Sequence, residues 1–407
     1  IYTLSLHDAL PIFIDNNISE NDSIIQYKSI KYHYKNPPLI GLINLGHTDY
    51  MNVVLQCFSN IEQLTNYFKY DSYIEQIIKN KPKSLTASYK LIIDKLWPSN
   101  NNHNNLFNKN ISFSPNDFKN KILSMNSLFE DVRIYNDILR DLINFIIMKL
   151  SEELNKIEEK NNNFVNNIDQ TNKQFLQNYF IKDFKSSYNS IIVDLFYGIN
   201  ESIAKCLNCK IKKYNYQSYF FITPSLEEVW EFKVPKSNLD ELLKNKTMNQ
   251  KEIQYKIQFL KKNKFVINIK DCFEQFQTTD IFSGDNAMYC ETCHQMSDAT
   301  FQTVFYTLPR ILIICLRRKR YGYQVKVIFN ELLDLKDYGK NGGIYELISV
   351  ISYLGNNDYK GHFIAACKSF IDNRWYRYND AFVLEITNFE KDILNFGEPC
   401  ALFYKRK

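Results

Sequence analysis

Two Cys-x-x-Cys pairs, Cys206/Cys209 and Cys290/Cys293, are the clearest chemical signal in this sequence. That spacing presents two sulfurs to one ion, and two such pairs complete a tetrahedral four-cysteine set, the geometry of structural zinc. Eighty residues lie between the pairs, so an ion held there would clip together the ends of distant hairpins. A complete shell of four thiolates leaves no open position, which argues against catalytic zinc. The plainer alternative is four incidental cysteines. The second signal is His362, which follows a glycine at the head of the strand-like run HFIAACKSF. Asn379 and Asp380 follow 17 and 18 residues later, in the run RWYRYNDAFVLEI. A hairpin would bring the imidazole against a polar orienting group, the base half of a catalytic triad. Taken alone, a histidine beside a glycine is more often structural.

These residues need elements to position them. Tyr50–Phe58, Leu85–Trp97 and Val132–Leu154 show helical apolar spacing. The last hundred residues read as strands rich in β-branched and aromatic side chains, with turns such as GNNDYKG between them. Helices first and a mostly antiparallel sheet later predict an α+β fold. Three polar stretches, 99–110, 158–174 and 242–265, read as solvated insertions, the last with room for a short charged helix. A chain of 407 residues allows one large elaborated domain or two to three ordinary ones. A net charge of only +5 gives no indication of nucleic-acid binding. No apolar run approaches the length of a membrane span. Nine cysteines, four of them in Cys-x-x-Cys pairs, suit a reducing compartment, cytoplasmic or nuclear, better than a disulfide framework. Cys57, Cys272, Cys315, Cys367 and Cys400 sit in apolar contexts and read as core. The stretch YTLSLHDALPI, Tyr2–Ile12, reads back through the genetic code as a standard library adapter and is set aside from the fold. It has no basic leader or cleavage site, so it does not read as a signal peptide. The true N-terminus is then expected to be missing. The sequence leaves the oligomeric state open.

GLINLGHTDYMNVVLQCFSN, from Gly41, resembles the Cys box of the ubiquitin-specific proteases, G-L-x-N-x-G-N-T-C-Y-M-N-S-x-L-Q. GHFIAACKS, RWYRYNDAFV and ALFYKRK resemble that family's His box and terminal strand, and LPRILIICLRR resembles the strand before them. ASYKLIIDKLW and SPNDFKNKI fall in the expected order. The resemblance implies a papain-like cysteine-protease fold of helical thumb, antiparallel palm and zinc-bearing fingers that grip ubiquitin. It divides the chain into a tail without structure at 1–36 and a catalytic-like domain at 37–407. The domain comprises a thumb (37–155), a polar insertion (156–184), fingers with part of the palm (185–300) and the palm with the His box (301–407). It also implies His362 as the base, Asn379 as the third triad member, Asp380 as its acidic neighbour and Asn44 as the oxyanion donor.

Asp49 matches the nucleophilic cysteine, and this departure changes the expected function. A carboxylate, with a reference pKa of about 4, is a poor nucleophile toward an amide, and a histidine has no proton to take from it. Aspartate also suits the start of a helix as a cap and by its charge, worth about 1 kcal/mol. It could pair with protonated His362 in place of a thiolate. A second departure lies in YNDILRDL, the best match to the family's Q-Q-D-A-x-E-F. Asp137 matches the first acid there, but Arg140 falls where the second is expected and would repel the arginines of the ubiquitin tail; Asp141 compensates only if the register slips. LRRKR at Leu316–Arg320 replaces the more usual L-K-R-F. The leading expectation is therefore a domain that recognises ubiquitin or ubiquitinated proteins, with structural Zn2+ and without thiol isopeptidase activity. An active deubiquitinase is the second reading. A spliceosomal tri-snRNP scaffold is the third; that branch also carries Asp at the nucleophile position, but it has lost the Gly-His and zinc cysteines that this chain keeps.

Overall fold

Val53, Val54, Leu55, Cys57 and Phe58 leave the first helix almost no polar face, and α1 (Asp49–Ser59) is buried along nearly its whole length. The computed structural model describes residues 34–98, 111–130, 137–157, 169–233, 266–318, 325–355 and 361–407. Around α1 stand α2 (Glu62–Tyr70), α3 (Ser72–Asn80), α4 (Leu85–Leu96), α5 (Asn116–Met125) and α6 (Ile138–Glu153). In α6 the apolar residues Leu139, Leu142, Ile143, Ile146, Ile147 and Leu150 recur at three- and four-residue spacing and are all buried. The α4 start is doubly capped: Ser84 accepts the Ala87 N–H, and the Glu153 carboxylate accepts those of Leu85 and Thr86.

Behind the helices lies a seven-stranded sheet. β10 (Ile311–Cys315), β17 (Glu398–Arg406), β13 (Ile344–Gly355), β14 (Gly361–Lys368), β15 (Trp375–Asn379) and β16 (Phe382–Ile386) run side by side in that order, and β12 (Leu332–Asp334) also pairs with β13. Every pairing in it is antiparallel, as the sequence predicts. Its terminal strand β10 is apolar on both faces. Ile311, Ile313 and Cys315 join the core under the helices, to which the short α8 (Ile191–Phe196) also contributes. Leu312 and Ile314 join a second core with α9 (Leu226–Lys233) and α10 (Ile269–Phe276). Beside that second core, β5 (Val266–Asn268) pairs in parallel with β11 (Lys326–Ile328). β3 (Gly198–Cys206), β4 (Lys212–Tyr219), β6 (Thr279–Phe282) and β9 (Ala299–Thr307) form a separate antiparallel sheet in the order β4-β3-β9-β6. The hairpin β7 (Met288–Cys290) and β8 (Gln295–Ser297) carries one of the cysteine pairs.

Several boundaries differ from the sequence reading. α7 (Lys173–Lys185) lies almost wholly inside the stretch 156–184, read as a polar insertion, and buries Leu176 and Phe184. Its apolar residues directly follow the Asn-rich run 158–174, with which the sequence reading joined them. β9 runs unbroken across the 300/301 division because it pairs with β3 along its length. The expected helix from Val132 has its described start at Ile138, residues 131–136 lying outside the described set, as do 1–33, 99–110, 158–168 and 234–265. Cys57, Cys272, Cys315 and Cys367 are buried as expected, whereas Cys400 is only partly so.

Gly41 shows why the sheet edge and the strand before α1 fit. It sits in β1 (Ile40–Leu42), which pairs in parallel with β2 (Ile111–Phe113). A Cβ there would lie 2.3 Å from the Ala381 carbonyl oxygen, in the β15–β16 turn. Gly41→Ala is therefore expected to destabilise the protein by about 1–3 kcal/mol, the usual scale for overpacking. Urea unfolding reads this directly, and an unchanged midpoint would show that the two segments are free to separate.

Candidate active site

The β15–β16 turn, the start of α1 and the start of β14 meet at one point. His362 is the second residue of β14, and its neighbour Gly361 has the Tyr353 ring where a Cβ would stand. The ring nitrogens of His362 face opposite ways. Nδ1 lies 3.2 Å from Asp49 Oδ2, and Nε2 lies 2.7 Å from Asn379 Oδ1. Asp380 Oδ2 stands 3.6 Å from Nε2. Asp49 Oδ2 also accepts the Phe363 N–H at 2.8 Å, so one carboxylate oxygen bridges α1 to two successive residues of β14.

Asp49 is not the cap expected from sequence. Thr48 occupies the N-cap position and Asp49 is the first helical residue, its carboxylate turned to β14. The negative charge still stands at the positive end of the helix. Asp380 adopts a positive φ of 48° in the two-residue turn, a conformation that aspartate tolerates better than most residues. Its carboxylate accepts from two amides, Asn44 Nδ2 at 3.0 Å and Asn52 Nδ2 at 2.7 Å. Asn44, expected as an oxyanion donor, thus has its amide nitrogen engaged with Asp380. Its Oδ1 accepts the N–H groups of Gly46 and Thr48.

These contacts set the charges. Burial alone would raise Asp49, but hydrogen bonds from His362 and the Phe363 N–H outweigh it and hold the carboxyl below its ordinary range. The hydrogen bond to Asp49 raises His362 to about 9, against burial and with help from Asn379 and the Asp380 charge. The site is therefore a carboxylate–imidazolium pair at neutral pH.

Asn52 and Gln56 were missed by the sequence reading. Asn52 ties Asp380 and the Leu42 carbonyl to α1, and Gln56 donates to the Ile40 carbonyl. The available signal was two polar residues four apart on an otherwise apolar helix. Asp137 and Arg140 sit elsewhere, at the cap and first turn of α6. Arg140 lies between two carboxylates, Asp137 at 3.3 Å and Asp141 at 2.9 Å. The expected lone positive charge is thus countered, and this group of three carries a net negative charge. Of the LRRKR run, 319–320 lie outside the described residues, and Arg318 donates to the carbonyls of Val325 and Pro399 and braces the sheet end.

The four paired cysteines converge. All their sulfurs lie within 4.8 Å of one another, with Cys206–Cys293 at 3.9 Å and Cys209–Cys290 at 3.7 Å. A tetrahedral ion bonded at about 2.3 Å needs sulfurs about 3.8 Å apart, so the set could hold a metal. The N–H groups of Cys209 and Asn208 bring Cys206 down to about 6, and those of Cys293 and Thr292 lower Cys290. Cys209 accepts the Ile211 N–H, yet burial and crowding by the other sulfurs push it up to about 12. Four thiolates do not share so small a volume without a cation.

Residues 40–404 match the family described as ubiquitin carboxyl-terminal hydrolase, and the chain belongs to that family. It is 26% identical over 431 residues to ubiquitin carboxyl-terminal hydrolase 4 of Saccharomyces cerevisiae, covering 96% of this chain and 42% of that protein. It is 23% identical over 379 residues to ubiquitin carboxyl-terminal hydrolase 2 of Homo sapiens, covering 90% of this chain and 55% of that protein. The chain thus spans about half the length of these relatives. One chain of the solved SAGA DUB module bound to ubiquitin aldehyde has a similar fold, with a TM-score of 0.60 at 18% identity over 92% of this chain and 70% of that one.

The ion pair predicts a pH window. The His362 share of stability is complete below its ordinary value of 6.5 and lost as pH rises through about 9. The Asp49 share is present above its ordinary 3.8 and lost as pH falls through its lower folded value. The stability difference between native protein and Asp49→Asn is expected to be largest between about pH 4 and 6.5 and to fade above about 9. Histidine NMR titration of Asp49→Asn should show His362 fallen toward 6.5. A value still near 9 would assign the raised affinity for the proton to Asn379 and Asp380 alone.

Proposed function

We propose that this chain is a ubiquitin-recognising domain in which Asp49 stands at the nucleophile position and thiol isopeptidase chemistry is lost. The observation that carries this reading is the Asp49–His362 pair, 3.2 Å apart, at the start of α1. A cysteine hydrolase needs a thiolate there and an imidazole to pass its proton to the leaving amine. Attack by the Asp49 carboxylate would instead form a mixed anhydride while expelling an amine. His362, held protonated beside Asp49, has no lone pair with which to activate water. In this reading His362, Asn379 and Asp380 keep their arrangement without performing the reaction.

The family supports ubiquitin as the ligand, as do relatives named ubiquitin carboxyl-terminal hydrolases. Asp137 and Asp141 are proposed to face the cationic ubiquitin tail, with Arg140 held between them. The four cysteines are proposed to bind Zn2+ as a structural ion; the fit of their sulfur spacings supports this. Zinc there would lock the β3–β4 end to the β7–β8 hairpin and take no part at His362.

The decisive experiment is hydrolysis of a ubiquitin–fluorophore conjugate by Asp49→Cys beside the native protein. The native protein is expected to leave the conjugate uncut over hours, and the cysteine variant to cut it. Cutting by the native protein would overturn the proposal in favour of an active deubiquitinase. Elemental analysis is expected to find about one zinc per chain, the capacity of one four-cysteine site. Zinc should be lost in Cys206→Ser/Cys293→Ser, with a lower unfolding temperature. Equal zinc in both proteins would place the metal elsewhere.

A further inference from the structure

The run SPNDFKNKI matches the family in order but plays no part in the site described above. It contains the start of α5, and one of its side chains reaches the turn before α1. Lys119 Nζ donates to the Leu45 carbonyl at 2.8 Å. Phe118 and Ile122, on either side of Lys119 in the sequence, are fully buried, so the ammonium is delivered from a fixed helix.

The turn it grips is unusual. Gly46 has φ 86° and His47 φ 53°, two successive residues in the left-handed region. A non-glycine residue there is held only where its surroundings over-determine it. Inside the turn, Asn44 Oδ1 accepts the N–H groups of Gly46 and Thr48, and Thr48 Oγ1 accepts that of Leu45. These bonds close the turn on itself. Its ties outward include the Ile43 N–H to the Phe113 carbonyl, Asn44 to Asp380, and Lys119 to Leu45. Leu45 directly follows Asn44 in the chain, so any shift of Leu45 moves the Asn44 carboxamide against Asp380.

We infer that Lys119 is a positioning residue for the active site: its ammonium anchors the Leu45 carbonyl and thereby fixes the 44–48 turn that sets Asn44 against Asp380 and leads into Asp49. It touches none of the reacting groups and acts through the turn. The kinetic consequence rests on the proposed reading of Asp49, whereas the anchoring does not.

The test has two arms. In the native background, amide hydrogen exchange at Gly46 and Thr48 is compared in Lys119→Met, Lys119→Arg and unchanged protein. Lys119→Met is expected to speed exchange there by about tenfold or more, with α5 and the rest of α1 unaffected, and Lys119→Arg to restore protection. Unchanged exchange at both positions in Lys119→Met would overturn the anchoring. In the Asp49→Cys background, adding Lys119→Met is expected to lower kcat about tenfold or more with KM little changed, and Lys119→Arg to recover most of it. An unchanged kcat, or a rise in KM alone, would overturn the positioning role. Should Asp49→Cys itself be inert, the loss of chemistry extends beyond Asp49 and the exchange arm still decides the anchoring of the turn.

Discussion

One carboxylate oxygen joins the helical layer to the sheet at the site. Asp49 Oδ2 faces the His362 imidazolium and accepts the Phe363 N–H, so the first residue of α1 is fastened to the start of β14. The imidazolium passes the connection to Asn379 at the end of β15, and Asp380 returns it to α1 through Asn52 and to the preceding turn through Asn44. Helix, turn and two strands are thereby closed into one ring of polar contacts. Gly41 lets the ring close, because only a residue without a side chain admits the Ala381 carbonyl so near.

The balance of charge explains how this ring persists with a carboxylate in it. Burial of Asp49 disfavours its charge, but a cationic donor, a backbone N–H and the helix start all favour it. A thiolate facing an imidazolium would present the same signs in the same places. The frame thus accepts aspartate electrostatically, although the carboxylate lacks the nucleophilicity of sulfur. In the proposed reading, fold retention and loss of chemistry are separable for that reason.

Much of this was legible in the sequence. β-branched and aromatic residues in HFIAACKSF and RWYRYNDAFVLEI mark strands; these pair, and the His362 and Asn379 side chains meet at one end of the pair. The cysteine spacings foretell the four-sulfur cluster because a turn is all that each pair requires. What stayed hidden depends on contacts between distant segments. Nothing local to Asn52 says that it will hold Asp380, 328 residues away in the chain. The cap at Thr48 rather than Asp49 follows from the left-handed turn before it, which a sequence pattern does not reveal.

A negative charge at Asp49 inside a retained ubiquitin site is the central claim, and affinity reads that charge directly. Free ubiquitin would bring its terminal carboxylate toward Asp49, whereas ubiquitin joined through an isopeptide bond brings a neutral amide. Calorimetric titration of the native protein with each form is the measurement to make, followed by recovery of the conjugate. Tighter binding of the conjugate, returned uncut, is the expected result. Equal affinity for the two forms, or a cleaved conjugate, would contradict the claim.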